Sequence, residues 1–234
     1  MPSEPTPVHH VTNFEAPIRG FLHSPPAPID DALILTHGAG SNCNAPLLIL
    51  LAETFSAAGI AVLRCDLPFR QLRPHGPPSP GSAARDRLGL HAAVDFMRRT
   101  TQGRIFLGGH SYGGRQASML AADQPGLVNR LLFLSYPLHP PQKPDRLRTG
   151  HFPAIETPAL FVHGTRDIFG SLAEIESALS LIHAPTGLLP VSGAGHELMT
   201  KQNSATLPAH IVQRFLSFTL APSDLAAADP IQQS

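Results

Sequence analysis

The chain alternates short, uniformly apolar runs with longer stretches whose apolar positions recur at helical spacing. Ile18 to Leu22 reads as a first strand. Ala32 to Thr36 (ALILT) reads as a buried strand that stops at His37-Gly38-Ala39-Gly40. Pro46 to Ala58 has helical periodicity and ends at Gly59, a helix-stop signal. Ile60 to Arg64 (IAVLR) is the next strand, followed by a Pro-rich loop. Ala83 to Arg99 is predicted as a helix with Leu88, Ala92, Phe96 and Met97 on its packed side.

The second half repeats the scheme. Arg104 to Gly108 (RIFLG) reads as a strand and Ser111 to Ala122 as a helix. Leu131 to Ser135 (LLFLS) is a strand, and a Pro-rich loop then runs to the strand Ala159 to His163 (ALFVH). Ser171 to Ile182 is a helix, Gly187 to Pro190 a short strand and Ala205 to Leu220 a last helix. Met1 to Val11 reads as a loose end. The expected layout is an N-terminal tail over 1–15, one domain over 16–220 and a polar C-terminal tail over 221–234.

Strands that are apolar throughout are covered on both faces, so the pattern predicts an α/β domain with a mostly parallel central sheet and helices on both sides. In such sheets ligands bind beyond the carboxyl ends of the strands. The residues that carry chemistry are therefore sought just after strand ends.

Gly109-His110-Ser111-Tyr112-Gly113 matches G-x-S-x-G between a strand and a helix. That setting raises a serine on a sharp turn, with small neighbours where strand and helix backbones come close. A serine needs a base, and the base needs a carboxylate to orient it. Asp167 follows the strand 159–163, and His196 follows the strand 187–190 within Gly-Ala-Gly-His. The order Ser111, Asp167, His196 is the one this arrangement requires. Asp66 and Asp145 are weaker acid candidates. His110 and His163 read as buried, hydrogen-bonded residues, and His9-His10 as a solvated pair. Two backbone N–H groups should face the oxyanion: that of Tyr112, and that of Ala39 or its neighbour Gly40.

The segments HGAG, GHSYGG, HGTRD and GAGH, in this order, resemble the α/β-hydrolase superfamily over about residues 18–220. LTHGAGSN, GGHSYGGRQASMLA, YPLHPP and FVHGTRDIFG are similar to a narrower group: the hydrolase-like domain of the NSL chromatin-complex subunit and the testis-expressed protein. In size the chain is similar to dienelactone hydrolases, from which it departs in having Ser111 where they carry a cysteine. The resemblance implies a serine hydrolase of a small ester, thioester or lactone, working through an acyl-enzyme. It also implies two rivals on the same fold, a non-catalytic interaction scaffold and a peptidase or acyltransferase.

The loop from Tyr136 to Pro158 is too short for a helical lid domain. The pocket is expected to be open and shallow, with Gly40, Phe69, Leu138, Phe169 and Leu198 near it. Arg70, Arg73, Lys143, Arg146 and Arg148 read first as solvated loop charges and second as attractors of a substrate carboxylate.

Composition adds exclusions. Lys plus Arg and Asp plus Glu each number 17, so net charge gives no reason to expect nucleic acid or an anionic membrane as partner. The 25 prolines and 19 glycines are under a fifth of the 234 residues, below what marks a disordered chain. Cys43 and Cys65 make neither a disulfide framework nor a metal site. Met1 to Ala16 lacks a basic start and an apolar run, so a cytoplasmic protein is expected. The expected partner is a small acyl substrate, with no metal or organic cofactor, in a monomer or homodimer.

Overall fold

The computed structural model describes residues 4–10 and 17–218. Eight strands form one sheet in the order β1-β2-β4-β3-β5-β6-β7-β8. These are β1 (Thr6–His10), β2 (Ile18–His23), β3 (Ala32–Thr36), β4 (Ala61–Cys65), β5 (Ile105–His110), β6 (Arg130–Leu134), β7 (Ala159–Gly164) and β8 (Thr186–Val191). From β4 onward along this order every pairing is parallel, whereas β1 and β2 run antiparallel at one edge.

The uniform apolarity of the central strands is explained by two cores, one on each face. Leu33, Leu35, Phe106, Leu132 and Leu134 pack toward α1 (Pro46–Ala57) and α6 (Leu207–Ser217). There Phe215 meets the edges of Phe55 and Phe106 at centroid distances of 5.5 and 5.3 Å. The alternate positions Ile34, Leu107, Leu131 and Phe133 face the other core. That core is covered by α3 (Ser82–Arg98), α4 (Tyr112–Asp123) and α5 (Leu172–Leu179). Two-residue periodicity assigns each strand residue to one face, and both faces are buried under helices.

Three local expectations change. The supposed loose end contains β1, which pairs Thr6 with Leu22 and His10 with Ile18. Val8 packs on the core there, and the His10 ring lies 5.3 Å from that of Phe96. A five-residue strand with one apolar member leaves no periodic signal. The expected 221–234 tail and the end of the last predicted helix lie outside the described residues.

On α3 only Leu88 departs from its expected packed side; Ala92 and Met97 are buried and Phe96 packs against the core. Leu88 is 48% exposed, while Leu90, Ala93, Val94 and Met97 are buried at i, i+3, i+4 and i+7. Within the Pro-rich segment after β4, Pro68–Leu72 forms a short helix, α2, with its proline at the first turn where no N–H is required. The loop after β6 holds only a single 3-10 turn, Phe152–Ala154, and no lid.

Candidate active site

Ser111, Asp167 and His196 all follow the carboxyl ends of strands. Ser111 joins β5 to α4 at φ 50° and ψ −116°, a left-handed backbone held by a non-glycine residue. Its N–H donates to the Leu134 carbonyl at 2.8 Å, which fixes the turn against β6. The turn needs glycines because its two arms nearly touch. A Cβ on Gly109 would lie 2.8 Å from the Gly113 carbonyl carbon, and one on Gly113 would lie 2.5 Å from the His37 oxygen.

The loops carrying Asp167 and His196 are zipped together by main-chain bonds. Thr165 N–H donates to Val191 O at 3.1 Å and Arg166 N–H to Ala194 O at 2.9 Å. Gly193 N–H donates to Thr165 Oγ1 at 2.9 Å. A Cβ on Gly164 would lie 2.5 Å from both the Ala194 and Gly195 oxygens, so this approach requires glycine.

These constraints place His196 Nε2 2.7 Å from Ser111 Oγ, and His196 Nδ1 2.8 and 3.0 Å from the two Asp167 oxygens. With Asp167 ionised, Nδ1 carries the proton and Nε2 faces the hydroxyl as acceptor. Burial pushes the Asp167 carboxyl up, but the His196 hydrogen bond and charge and the Phe169 N–H outweigh it. The acid is held below its usual range. The Phe169 ring lies 4.2 Å from the imidazole of His196, centroid to centroid, and covers one face of it.

The remaining candidates separate clearly. Tyr112 is the first residue of α4, so its N–H is among those a helix cannot satisfy from within. Its hydroxyl donates to Asp86 Oδ2 at 2.7 Å. Ala39 is half-buried and Gly40 exposed in the loop after β3. A Cβ on Gly38 in that loop would be 3.4 Å from Ser111 Cβ, so the loop passes close beside the serine. His37 is neutral and structural: Nδ1 donates to Gly38 O at 2.8 Å, Nε2 accepts from Leu67 N–H at 3.1 Å, and burial pushes its pKa down to about 4.

Arg70 is neither a solvated charge nor free to meet a substrate. It is buried, and its guanidinium donates to the carbonyls of Ala39 and Ser41 at 2.7 Å and of Arg73 and Gly76 at 3.0 Å. Arg73, Lys143 and Arg146 are exposed, as read from sequence. Asp66 is bound by Arg19 and by Cys43 N–H, and Asp145 is exposed. His163 is buried against Gly170 O at 2.7 Å, as expected.

Among the residues expected to line a pocket, Leu138 and Leu198 are each 1% exposed and belong to opposite cores. Neither offers surface to a substrate, because the adjoining loops fold their apolar members inward. Phe69 is likewise buried, edge-on to Tyr112 at 5.6 Å. A cleft of about 190 Å³ does adjoin the site, lined by Gly38 and His110 together with residues the sequence did not single out, among them Leu47, Glu197 and Met199. A larger cavity of about 540 Å³ lies away from the serine, at the β1–β2 edge. Among the described residues there is no group of three or more metal-ligating side chains, and no helix is long and apolar enough to cross a membrane.

A family model described as an alpha/beta hydrolase domain matches residues 29–221. The fold is similar to dienelactone hydrolase from Anabaena variabilis, at 23% identity over 92% of this chain and 99% of that one, with TM-score 0.73. It is also similar to an alpha-beta serine hydrolase homologue from Coxiella burnetii, at 18% identity over 92% and 98%, TM-score 0.72. An esterase from Pyrococcus furiosus matches at 16% identity over 92% and 91%, again with TM-score 0.72. The family model spans most of the chain and includes every strand of the parallel core, so this protein belongs to the alpha/beta hydrolase domain family.

Proposed function

We propose that the protein is a serine hydrolase that cleaves a carboxylic ester, thioester or lactone through an acyl-enzyme on Ser111. One observation carries this reading: the unbroken chain Ser111 Oγ, His196, Asp167, with its links at 2.7 and 2.8 Å, set on a strained turn at the carboxyl ends of the strands.

In the first step His196 Nε2 takes the Ser111 proton while Oγ attacks the carbonyl carbon. Asp167 stabilises the imidazolium that forms. The N–H groups of Tyr112 and Ala39 are assigned to the developing oxyanion, with α4 adding the positive end of its dipole. The carbon–oxygen (or carbon–sulfur) bond to the leaving group breaks, and His196 returns the proton to that group. Water then repeats the sequence, losing a proton to His196 as it displaces Oγ and releases the acid.

Hydrolysis of p-nitrophenyl butyrate by the wild type and by Ser111→Ala tests this. Turnover that falls by roughly 10³- to 10⁶-fold in the variant is expected, since the three residues act as a unit. Equal turnover in both proteins would overturn the assignment.

A further inference from the structure

The segment from Asp167 to Gly170 is pinned at every turn of its path. Phe169 N–H donates to Asp167 Oδ1 at 2.9 Å, and Phe169 O accepts from His139 N–H at 3.0 Å. Gly170 O accepts from His163 Nε2 at 2.7 Å. His163 belongs to β7 and His139 to the loop after β6, and both are buried, so two separate parts of the chain brace Phe169. The half-buried phenyl ring is thereby set 4.2 Å from the His196 ring, centroid to centroid, with the planes 35° apart.

The edge of the His196 ring is already committed. Nδ1 faces Asp167 at 2.8 Å and Nε2 faces Ser111 Oγ at 2.7 Å. A ring face offers no hydrogen bond, so it can be served only by packing and by the quadrupole of a neighbouring ring. The charged and titratable groups around His196 are few. His110, from β5, has its ring 5.3 Å away, and burial keeps it neutral. His163 stands behind Asp167, with Nε2 3.8 Å from Oδ2, and the exposed Glu197 follows His196 in the chain. The face covered by Phe169 meets the negative side of a benzene ring, which attracts a cation within about 6 Å of its centroid.

We propose that Phe169 is a positioning residue for the base: its ring holds the His196 imidazole toward Ser111 and stabilises the imidazolium formed as Oγ attacks. This rests on the reading of Ser111 as nucleophile and His196 as base. His196 is neutral before attack and cationic in the transition state, so the attraction grows only as the reaction proceeds. A contact of that kind acts on kcat and leaves substrate affinity alone.

The test compares Phe169→Leu and Phe169→Met, which keep an apolar side chain and lose the quadrupole, with Phe169→Tyr, which keeps the ring. On p-nitrophenyl butyrate the leucine and methionine variants are expected to lose about 2- to 30-fold in kcat, the range of one cation–π contact, with KM near that of the wild type. The tyrosine variant should recover most of the loss. A rise in KM with kcat intact would make Phe169 a wall of the substrate pocket and overturn the proposal. A tyrosine variant as slow as the leucine variant overturns it too.

Propylboronic acid reads the same contact without turnover. Ser111 Oγ bonds to boron as its proton passes to His196 Nε2, which leaves a tetrahedral boronate anion beside an imidazolium. Affinity should fall in Phe169→Leu by about the factor lost from kcat and return in Phe169→Tyr. Equal affinity in the wild type and both variants overturns the role of Phe169 and leaves the hydrolase standing. A wild type that neither turns over ester nor binds the boronate overturns both readings together.

Discussion

His110 Nε2 lies 2.9 Å from the main-chain oxygen of His196. The acceptor is a carbonyl, so the proton is on Nε2 of His110, and the residue before the serine holds the backbone of the proposed base. Burial pushes the His110 pKa down, which keeps the ring neutral and this tautomer in place. Ser111 and His196, 85 positions apart in sequence, are thus tied twice: through their side chains and through the residue preceding the serine.

The His110 bond therefore positions His196 rather than taking part in the chemistry. Replacing His110 with Leu is expected to lower kcat by about 10- to 100-fold through a small displacement of the base, with KM changed much less. Steady-state kinetics on p-nitrophenyl butyrate reads the split. A rise in KM with kcat intact would contradict the positioning role.

Arg70 should matter through the loop it holds. Its guanidinium ties down the carbonyls of Ala39 and Ser41, on either side of Gly40. Arg70→Met leaves four carbonyl oxygens without this donor and is expected to cost about 2–4 kcal/mol of stability, with a fall in kcat as the loop loosens. Arg70→Lys should recover only part, because an ammonium cannot reproduce a planar fork that reaches four acceptors. Urea unfolding and ester kinetics on the two variants check both statements. A methionine variant of unchanged stability would show that the loop does not depend on Arg70.

Asp86 joins α2, α3 and the serine turn, accepting from Phe69 N–H at 2.9 Å and from the Tyr112 hydroxyl at 2.7 Å. Burial pushes its pKa up in spite of both bonds, and pushes that of Tyr112 up as well. Asp86→Ala leaves two donors unsatisfied and is expected to destabilise the fold by about 2–4 kcal/mol. Asp86→Asn keeps an acceptor oxygen and should cost less. Equal losses for the two, measured by urea unfolding, would show that packing rather than hydrogen bonding sets the effect.

Acid should destabilise the protein earlier than its carboxylates alone would require. His23, His37 and His151 are each pushed down to about 4, chiefly by burial. In the unfolded chain they titrate near 6.5. Between those values the unfolded state binds more protons than the native state, so stability falls as pH falls through that window. The slope is at most about 1.4 kcal/mol per pH unit for each group, and below about pH 4 the loss is complete. His23 Nε2 accepts from Arg64 Nε at 2.8 Å, a role an amide oxygen can take over. His23→Gln should therefore show a smaller drop in urea midpoint between pH 7.5 and pH 5 than the wild type. Identical drops would remove His23 from the account.

Much of this architecture is legible in the sequence because the central strands are buried on both faces. Their continuous apolar runs mark the strands, and Gly-rich segments mark the strand ends where Ser111, Asp167 and His196 stand. The structure brings those three together as their order suggested. What the sequence did not show depends on tertiary contacts. β1 has almost no apolar pattern and is held by pairing with β2. The inward turn of Leu138 and Leu198 is set by loop paths, and a leucine in a loop gives no sign of the side it will face. Arg70 looked like a loop charge because its partners are carbonyls, which carry no signature in side-chain chemistry.

Labelling by a fluorophosphonate probe, read by peptide mass spectrometry, tests the central claim most directly. The account predicts one adduct, on the peptide containing Ser111, absent in Ser111→Ala and slowed by orders of magnitude in His196→Ala. An adduct on another residue, or a folded wild-type protein that takes no label, would contradict Ser111 as the activated nucleophile.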